Sequence, residues 1–167
     1  KDLRIGNTLD NILVFNSLFE RAFTQQTDYW SAYGQLGYEL TSDLTARGSL
    51  RYSDESKEVA HSQTGDPFEI LLPNQPLQHL SRSDNEVSPS ASVTYRIRDD
   101  VQAYASYGRG FKAGGYNVFS ISMTDTAEYE PETVDSFEIG VKSQFADDRV
   151  RLNAALFYMD YQDLQVN

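Results

Sequence analysis

The sequence predicts an all-β fold: an antiparallel up-and-down segment of a transmembrane β-barrel, with about six long strands set as three hairpins. Three observations carry the expectation. Apolar and polar residues alternate with a period of two over runs of about ten residues. The connections between runs are short at one end and long at the other, and large aromatics recur near the ends of the apolar face. Strands of soluble sandwiches are shorter, typically about five or six residues.

Residues 1–27 read as a long loop, extracellular in a barrel of this type. Within it Leu9, Ile12, Leu13, Phe15, Leu18, Phe19, Ala22 and Phe23 lie close to helical spacing behind Asp10, a candidate N-cap, so a short loop helix is expected there. The first hairpin covers 28–53. Trp30, Ala32, Gly34, Leu36, Tyr38 and Leu40 share one face against Tyr29, Ser31, Tyr33, Gln35, Gly37 and Glu39. After a turn at Thr41 to Asp43, Leu44, Ala46, Gly48, Leu50 and Tyr52 alternate with Thr45, Arg47, Ser49, Arg51 and Ser53.

Residues 54–85 form the second expected extracellular loop, with an apolar island of Phe68, Ile70, Leu71 and Leu72 between Pro67 and Pro76 that is expected to pack on neighbouring loops, the alternative being contact with a ligand. The second hairpin, 86–109, sets Val87, Ala91, Val93 and Tyr95 on the apolar face, turns at Arg98 to Asp100, and returns with Val101, Ala103, Ala105 and Tyr107. Pro89 has no N–H to give to a ladder, so a bulge or irregularity is expected there. A third extracellular loop covers 110–130. The third hairpin, 131–163, aligns Phe137, Ile139, Val141 and Phe145, turns at Ala146 to Asp148, and returns with Val150, Leu152, Ala154, Leu156 and Tyr158. The Asp-rich short turns suit tight reversal, because Asp side chains bond their own backbone.

Composition narrows the function classes. With a mean hydropathy of -0.53, the chain contains no apolar run long enough for a membrane helix. A barrel strand alternates lipid-facing and lumen-facing residues and so averages hydrophilic. No segment reads as a signal peptide, so Lys1 is not expected to be a native N-terminus. The net charge of -11 argues against a nucleic-acid partner, which requires a basic face. Without cysteine there is no disulfide framework or thiolate metal site.

On the apolar face Trp30, Tyr38, Tyr52, Tyr95, Tyr107, Phe145 and Tyr158 are the candidate membrane-facing aromatics, and outer-membrane lipid is the partner they imply. The opposite face carries Arg47, Arg96, Glu138, Lys142 and Arg151, a candidate lumen-facing lattice in which buried charges are paired or hydrated.

The runs "YGQLGYELTSDLTARGSLRYSDESKE", "VQAYASYGRGFKAGGYN" and "PETVDSFEIGVKSQFADDRVRLNAALFYMDYQDLQV" resemble the barrel of TonB-dependent receptors, in order and in spacing. The resemblance implies a barrel of about 22 strands closed by an N-terminal plug. It implies as partners the plug, the remaining strands, the TonB energy-transducing complex, reached through segments outside this chain, and a small-molecule ligand such as a ferric siderophore. The chain is therefore expected to be an incomplete barrel domain without its plug.

For ligand contact, the strongest candidate is the run from Gly108 to Asn117, where Arg109 and Lys112 present cations beside the Gly114, Gly115 pair. Tyr116, Asn117, Tyr33 and Arg51 complete the candidate ligand-binding set. The competing structural account is that the glycines shape a turn and the cations are solvated or paired. His61 and His79 have no third ligand at metal-site spacing, so no metal or other cofactor is expected. Nucleophile elbows and phosphate loops are absent, so an enzyme is not expected. Two alternatives stay open: a porin-like or structural outer-membrane barrel without coupling, and a soluble secreted β-sandwich that binds glycans.

Overall fold

A computed structural model describes residues 3–14, 17–64, 74–117, 127–147 and 149–165, with side chains described from Arg21 onward except at Ala127. The described elements are all strands: β1 (Leu3–Val14), β2 (Ser17–Glu39), β3 (Leu44–Thr64), β4 (Gln75–Arg98), β5 (Val101–Lys112), β6 (Gly115–Asn117), β7 (Ala127–Tyr129), β8 (Glu132–Phe145) and β9 (Val150–Gln162). Seven of them form one sheet in the order β1-β2-β3-β4-β5-β8-β9, and β6 pairs with β7 in a small second sheet. The sheet is an antiparallel meander that does not close within this chain, and the predicted fold class holds.

The structure departs from the sequence expectation in the segments taken as loops. The expected helix around Leu9 to Phe23 is instead the β1–β2 hairpin, with Ile12 paired to Phe19, Leu13 to Leu18 and Leu9 to Ala22; Asp10, the supposed N-cap, pairs with Arg21. Cross-strand pairing of apolar with apolar positions overrode the local spacing. Within 54–85, β3 continues to Thr64 and β4 starts at Gln75, while 110–130 contains the β6–β7 hairpin. The apolar island at 68–72 lies outside the described residues. The pairing of β4 with β5 begins at Ser90, immediately after Pro89, and its register shift falls at Arg96/Arg98 rather than at the proline.

By contact the chain divides into two units, one of residues 1–30, 54–85 and 113–131, the other of 31–53, 86–112 and 132–167. In the second unit the registers sort side chains into two faces. Ala91, Tyr107, Phe137 and Tyr158 are aligned across four strands, as are Val93, Ala105, Ile139 and Leu156. This apolar face stays open, with Leu36 83%, Leu156 73% and Leu152 63% exposed. Toward the end of β9 apolar side chains occupy both faces, Phe157, Met159 and Tyr161 alternating with Leu156 and Tyr158, all of them exposed. In the first unit Val59 and Ala113 are buried, and they are the only buried hydrophobic residues among those described.

Turn chemistry matches the residues. The Thr41 hydroxyl accepts from the backbone N–H of Asp43 at 3.2 Å and of Leu44 at 3.1 Å, closing the β2–β3 reversal. Between β8 and β9, Ala146 and Asp147 both take the left-handed conformation, with φ of 56° and 53°.

Candidate functional site

On the polar face of the second unit the lattice residues are joined through an aromatic that sequence reasoning did not single out. Tyr104 donates its hydroxyl to Glu138 at 2.5 Å, and Lys142 Nζ stands 5.0 Å from the centre of the same ring. Gly140, between those two residues on β8, lets the ring lie against the strand, since a Cβ there would come within 2.6 Å of it. Of the remaining lattice candidates, Arg151 reaches Gln144 at 3.5 Å, and Arg96 turns to the β2–β3 reversal, 3.1 Å from Asp43. Arg47 lies near Gly37 and lines, with Ser49, Ser90, Ser92 and Ser106, a hydroxyl-rich groove of about 410 Å³.

The six ligand-binding candidates have different surroundings. Tyr33 is 79% exposed. Arg51 donates to Ser31 at 3.1 Å and to Ser53 at 3.3 Å. Arg109 pairs with Glu86 at 3.4 Å and lies 3.9 Å from Asp135, which also accepts the Tyr107 hydroxyl at 2.7 Å. By register Arg109 follows Tyr107 on the apolar face of β5, opposite Asp135, so it stands at the end of that face. Lys112 is exposed and stands across from Glu132 in the ladder.

Tyr116 and Asn117 belong to the first unit, where the glycine pair has a packing role. A Cβ at Gly114 would fall 2.5 Å from the Tyr129 carbonyl oxygen and 2.6 Å from the Arg82 guanidinium carbon, and one at Gly115 would meet the Tyr129 hydroxyl at 2.5 Å. Arg82 there gathers three carboxylates: Asp84, Glu128 and Glu130, each at 2.7 Å. Its pKa is raised, chiefly by the Asp84 hydrogen bond, so it stays cationic throughout the accessible range. Tyr116 donates to the Ser81 carbonyl at 2.8 Å. Its hydroxyl is shifted up, first by burial and then by Glu128.

His61 is 1% exposed, and neither ring nitrogen has a hydrogen-bond partner among the described residues. Nearby Arg21 donates to Gln63 through Nε at 3.2 Å and Nη2 at 3.0 Å. Burial, and then the Arg21 charge, lower the His61 pKa, so the ring is neutral at pH 7. Arg82 and His61 lie in polar stretches that give no period-two signal. Tyr104 was detectable as the one large aromatic on the polar face of β5.

The aromatic candidates divide by exposure. Trp30, Tyr38, Tyr95, Phe145 and Tyr158 are exposed, while Tyr52 and Tyr107 are partly covered. The Tyr107 ring tilts against Phe137 with centroids 5.0 Å apart. An apolar groove of about 670 Å³ passes these rings, floored by Ala46, Ala91 and Ala105.

A family model described as "TonB dependent receptor-like, beta-barrel" matches residues 2–167. The chain is 30% identical to the pesticin receptor of Yersinia pestis over 138 residues, which are 81% of this chain and 19% of that protein. It is 24% identical to the catecholate siderophore receptor Fiu of Escherichia coli O6:H1 over 154 residues, 83% of this chain and 20% of that one. Among solved structures it superposes on the ferric yersiniabactin uptake receptor FyuA from Yersinia pestis with a TM-score of 0.77 at 24% identity, covering 89% of this chain and 22% of FyuA. The closed form of the ferric-catecholate import receptor Fiu from E. coli K12 gives a TM-score of 0.65 at 20% identity, covering 84% and 22%. The chain thus spans about a fifth of the length of the relatives it matches. With its meander, its open apolar face and a family match over nearly all of its length, the chain belongs to the TonB-dependent receptor β-barrel family.

Proposed function

We propose that this chain supplies wall strands and ligand-facing segments of an energy-coupled receptor in the outer membrane of a Gram-negative bacterium, which imports a scarce nutrient, a ferric siderophore. The observation that carries this reading is the apolar face of the second unit. Leu36, Leu50, Ile139, Leu152 and Leu156 are each more than half exposed, and none of the buried hydrophobic residues among those described belongs to that unit. A water-soluble sandwich would turn such a face inward. A barrel wall turns it toward lipid.

The polar face then looks into the lumen and toward a plug domain, with the Tyr104, Glu138 and Lys142 group acting as wall lattice. Lys112 and Tyr33 are the ligand-facing residues to test first, because both are exposed. Arg51, Arg109 and Tyr116 would have to leave protein partners to reach a ligand. The names of the relatives Fiu and FyuA support a ferric siderophore as the ligand class, and the TonB complex is the coupling partner in this reading.

The test is uptake of radiolabelled iron as ferric yersiniabactin and as a ferric catecholate in cells expressing the intact receptor, with and without TonB. TonB-dependent uptake of either supports the reading. Uptake indifferent to TonB favours a porin-like barrel, and no uptake of either removes the ferric-siderophore assignment.

A further inference from the structure

At the short-turn end of the second unit the polar face carries cations and amides. Arg96 on β4 stands across from Gln102 on β5, Gln102 from Lys142 on β8, and Lys142 from Asn153 on β9; two residues nearer the turn, Gln144 pairs with Arg151. These six line a polar groove of about 600 Å³, which the β4–β5 turn completes with Arg98, Asp99 and Asp100. Asp100 holds Arg98 at 3.3 Å, and Asp43 holds Arg96 at 3.1 Å from the β2–β3 reversal. Among the described residues no carboxylate pairs with Lys142 or Arg151: Lys142 lies against the Tyr104 ring, and Arg151 reaches the amide of Gln144. Even with Asp43 counted, four cations meet three acids, which leaves a positive surplus in the groove.

Lys142 and Arg151 are diagonal neighbours on adjacent strands, about 7–8 Å apart, and like charges so placed repel. Arg96 stands two strands from Lys142, about 10 Å away. In open water such cations are hydrated. In a lumen filled by a plug water is scarce, and a charge left there without a partner is costly. The chain has 25 acidic residues against 14 basic ones, yet every ladder neighbour of Lys142 and Arg151 is an amide. The wall thus leaves the counter-charge to whatever faces the groove, while Gln102, Gln144 and Asn153 offer donors and acceptors to its backbone.

Given the receptor reading above, on which this rests, we propose that the groove is the seat of an acidic segment of the plug, at the periplasmic end of the wall. Two carboxylates of that segment meet Lys142 and Arg151. Residues i and i+2 of an extended chain are about 7 Å apart on one face, which matches the separation of the two cations.

Carbodiimide, which condenses a lysine amine with a touching carboxylate and adds no spacer, tests this on the full-length receptor in detergent, with the amides located by mass spectrometry. The expected product joins Lys142 to an Asp or Glu of the plug. Lys142→Arg keeps the charge and should lose the amide, whereas Arg151→Lys should gain a second one within the same plug segment. The double variant Lys142→Gln/Arg151→Gln should speed hydrogen exchange in that segment about tenfold, the scale of two partly exposed pairs lost. An amide from Lys142 to a carboxylate of residues 1–167, or no amide at Lys142, overturns the proposal, and so does plug exchange that the double variant leaves unchanged. TonB-dependent uptake by a receptor lacking the amide would remove this seat alone, whereas uptake indifferent to TonB would count against the receptor reading itself.

Discussion

Replacing Val141 by Arg tests which face of the sheet meets lipid, and the registers allow the cost to be worked out. Val141 pairs with Ala103 on β5 and Ala154 on β9, on the apolar face, and is 42% exposed. It lies midway along β8 between Phe137 and Phe145, the aromatics of the same face. At about 3.3 Å per residue each aromatic is roughly 13 Å away along the strand. A tilt near 40° reduces this to about 10 Å along the membrane normal, so Val141 falls close to the middle of an apolar band about 25 Å tall. An arginine at that depth costs about 2–4 kcal/mol, or roughly 30- to 700-fold in the folding equilibrium.

Ser106→Arg is the matched control. Ser106 stands across from Glu138 on the polar face, where an added cation faces an acid and should change stability by less than about 1 kcal/mol. Urea titration of the intact receptor in lipid vesicles, scored by heat-modifiable migration on gels, measures both. If Val141→Arg is neutral and Ser106→Arg damaging, the faces are reversed. If both are neutral, this sheet does not meet lipid, and the barrel-wall function falls with it.

Three other outcomes follow from the described contacts. Gly114→Ala should destabilise the β6–β7 hairpin by about 1–3 kcal/mol, because the added methyl meets a carbonyl oxygen as well as Arg82; exchange over Ala113 to Asn117 that matched the wild type would contradict it. Acidification should loosen the first unit through His61, whose folded pKa lies below its ordinary 6.5. The unfolded chain takes up a proton that the folded one refuses, so the stability is full above pH 6.5 and declines as pH falls below it. His61→Gln should flatten that dependence in exchange measured over Val59 to Thr64. Ala146→Gly should stabilise the β8–β9 turn by about 1 kcal/mol, since glycine carries no penalty at positive φ; a lowered urea midpoint in lipid would refute it.

The parts of the fold legible in the sequence were those where one face had to be apolar. Between Trp30 and Tyr52, and between Phe137 and Tyr158, the period of two follows from a sheet with a different medium on each side, and the structure reproduces those strands and their turns. Past Ser53 the alternation stops: in "SDESKEVAHSQT" both faces are polar, and pairing with β4 rather than hydropathy makes it a strand. Residues 9–23 misled for a related reason, because apolar pairs such as Leu18, Phe19 and Ala22, Phe23 mimic helical spacing while supplying partners for Ile12 and Leu9. Candidate sites fared differently again. The glycine pair drew attention as a place of close approach, but the approaching groups, Arg82 and Tyr129, lie 32 and 15 positions from Gly114 and are brought there only by the fold.

The two-sided apolar end of β9 has a consequence before the barrel exists. A polypeptide bound for the outer membrane passes through water with its strands unpaired, and there Ala154 to Tyr158 offers no polar face to hide behind. Short windows of high β-propensity and little charge are the ones that associate wrongly when left exposed. Asp160 is the first charged residue after this run and Arg151 the last before it, so these two act as its gatekeepers. A segment that lies in the wall as a lipid-facing strand is thus, while in transit, a part of the chain that gains from a holding partner.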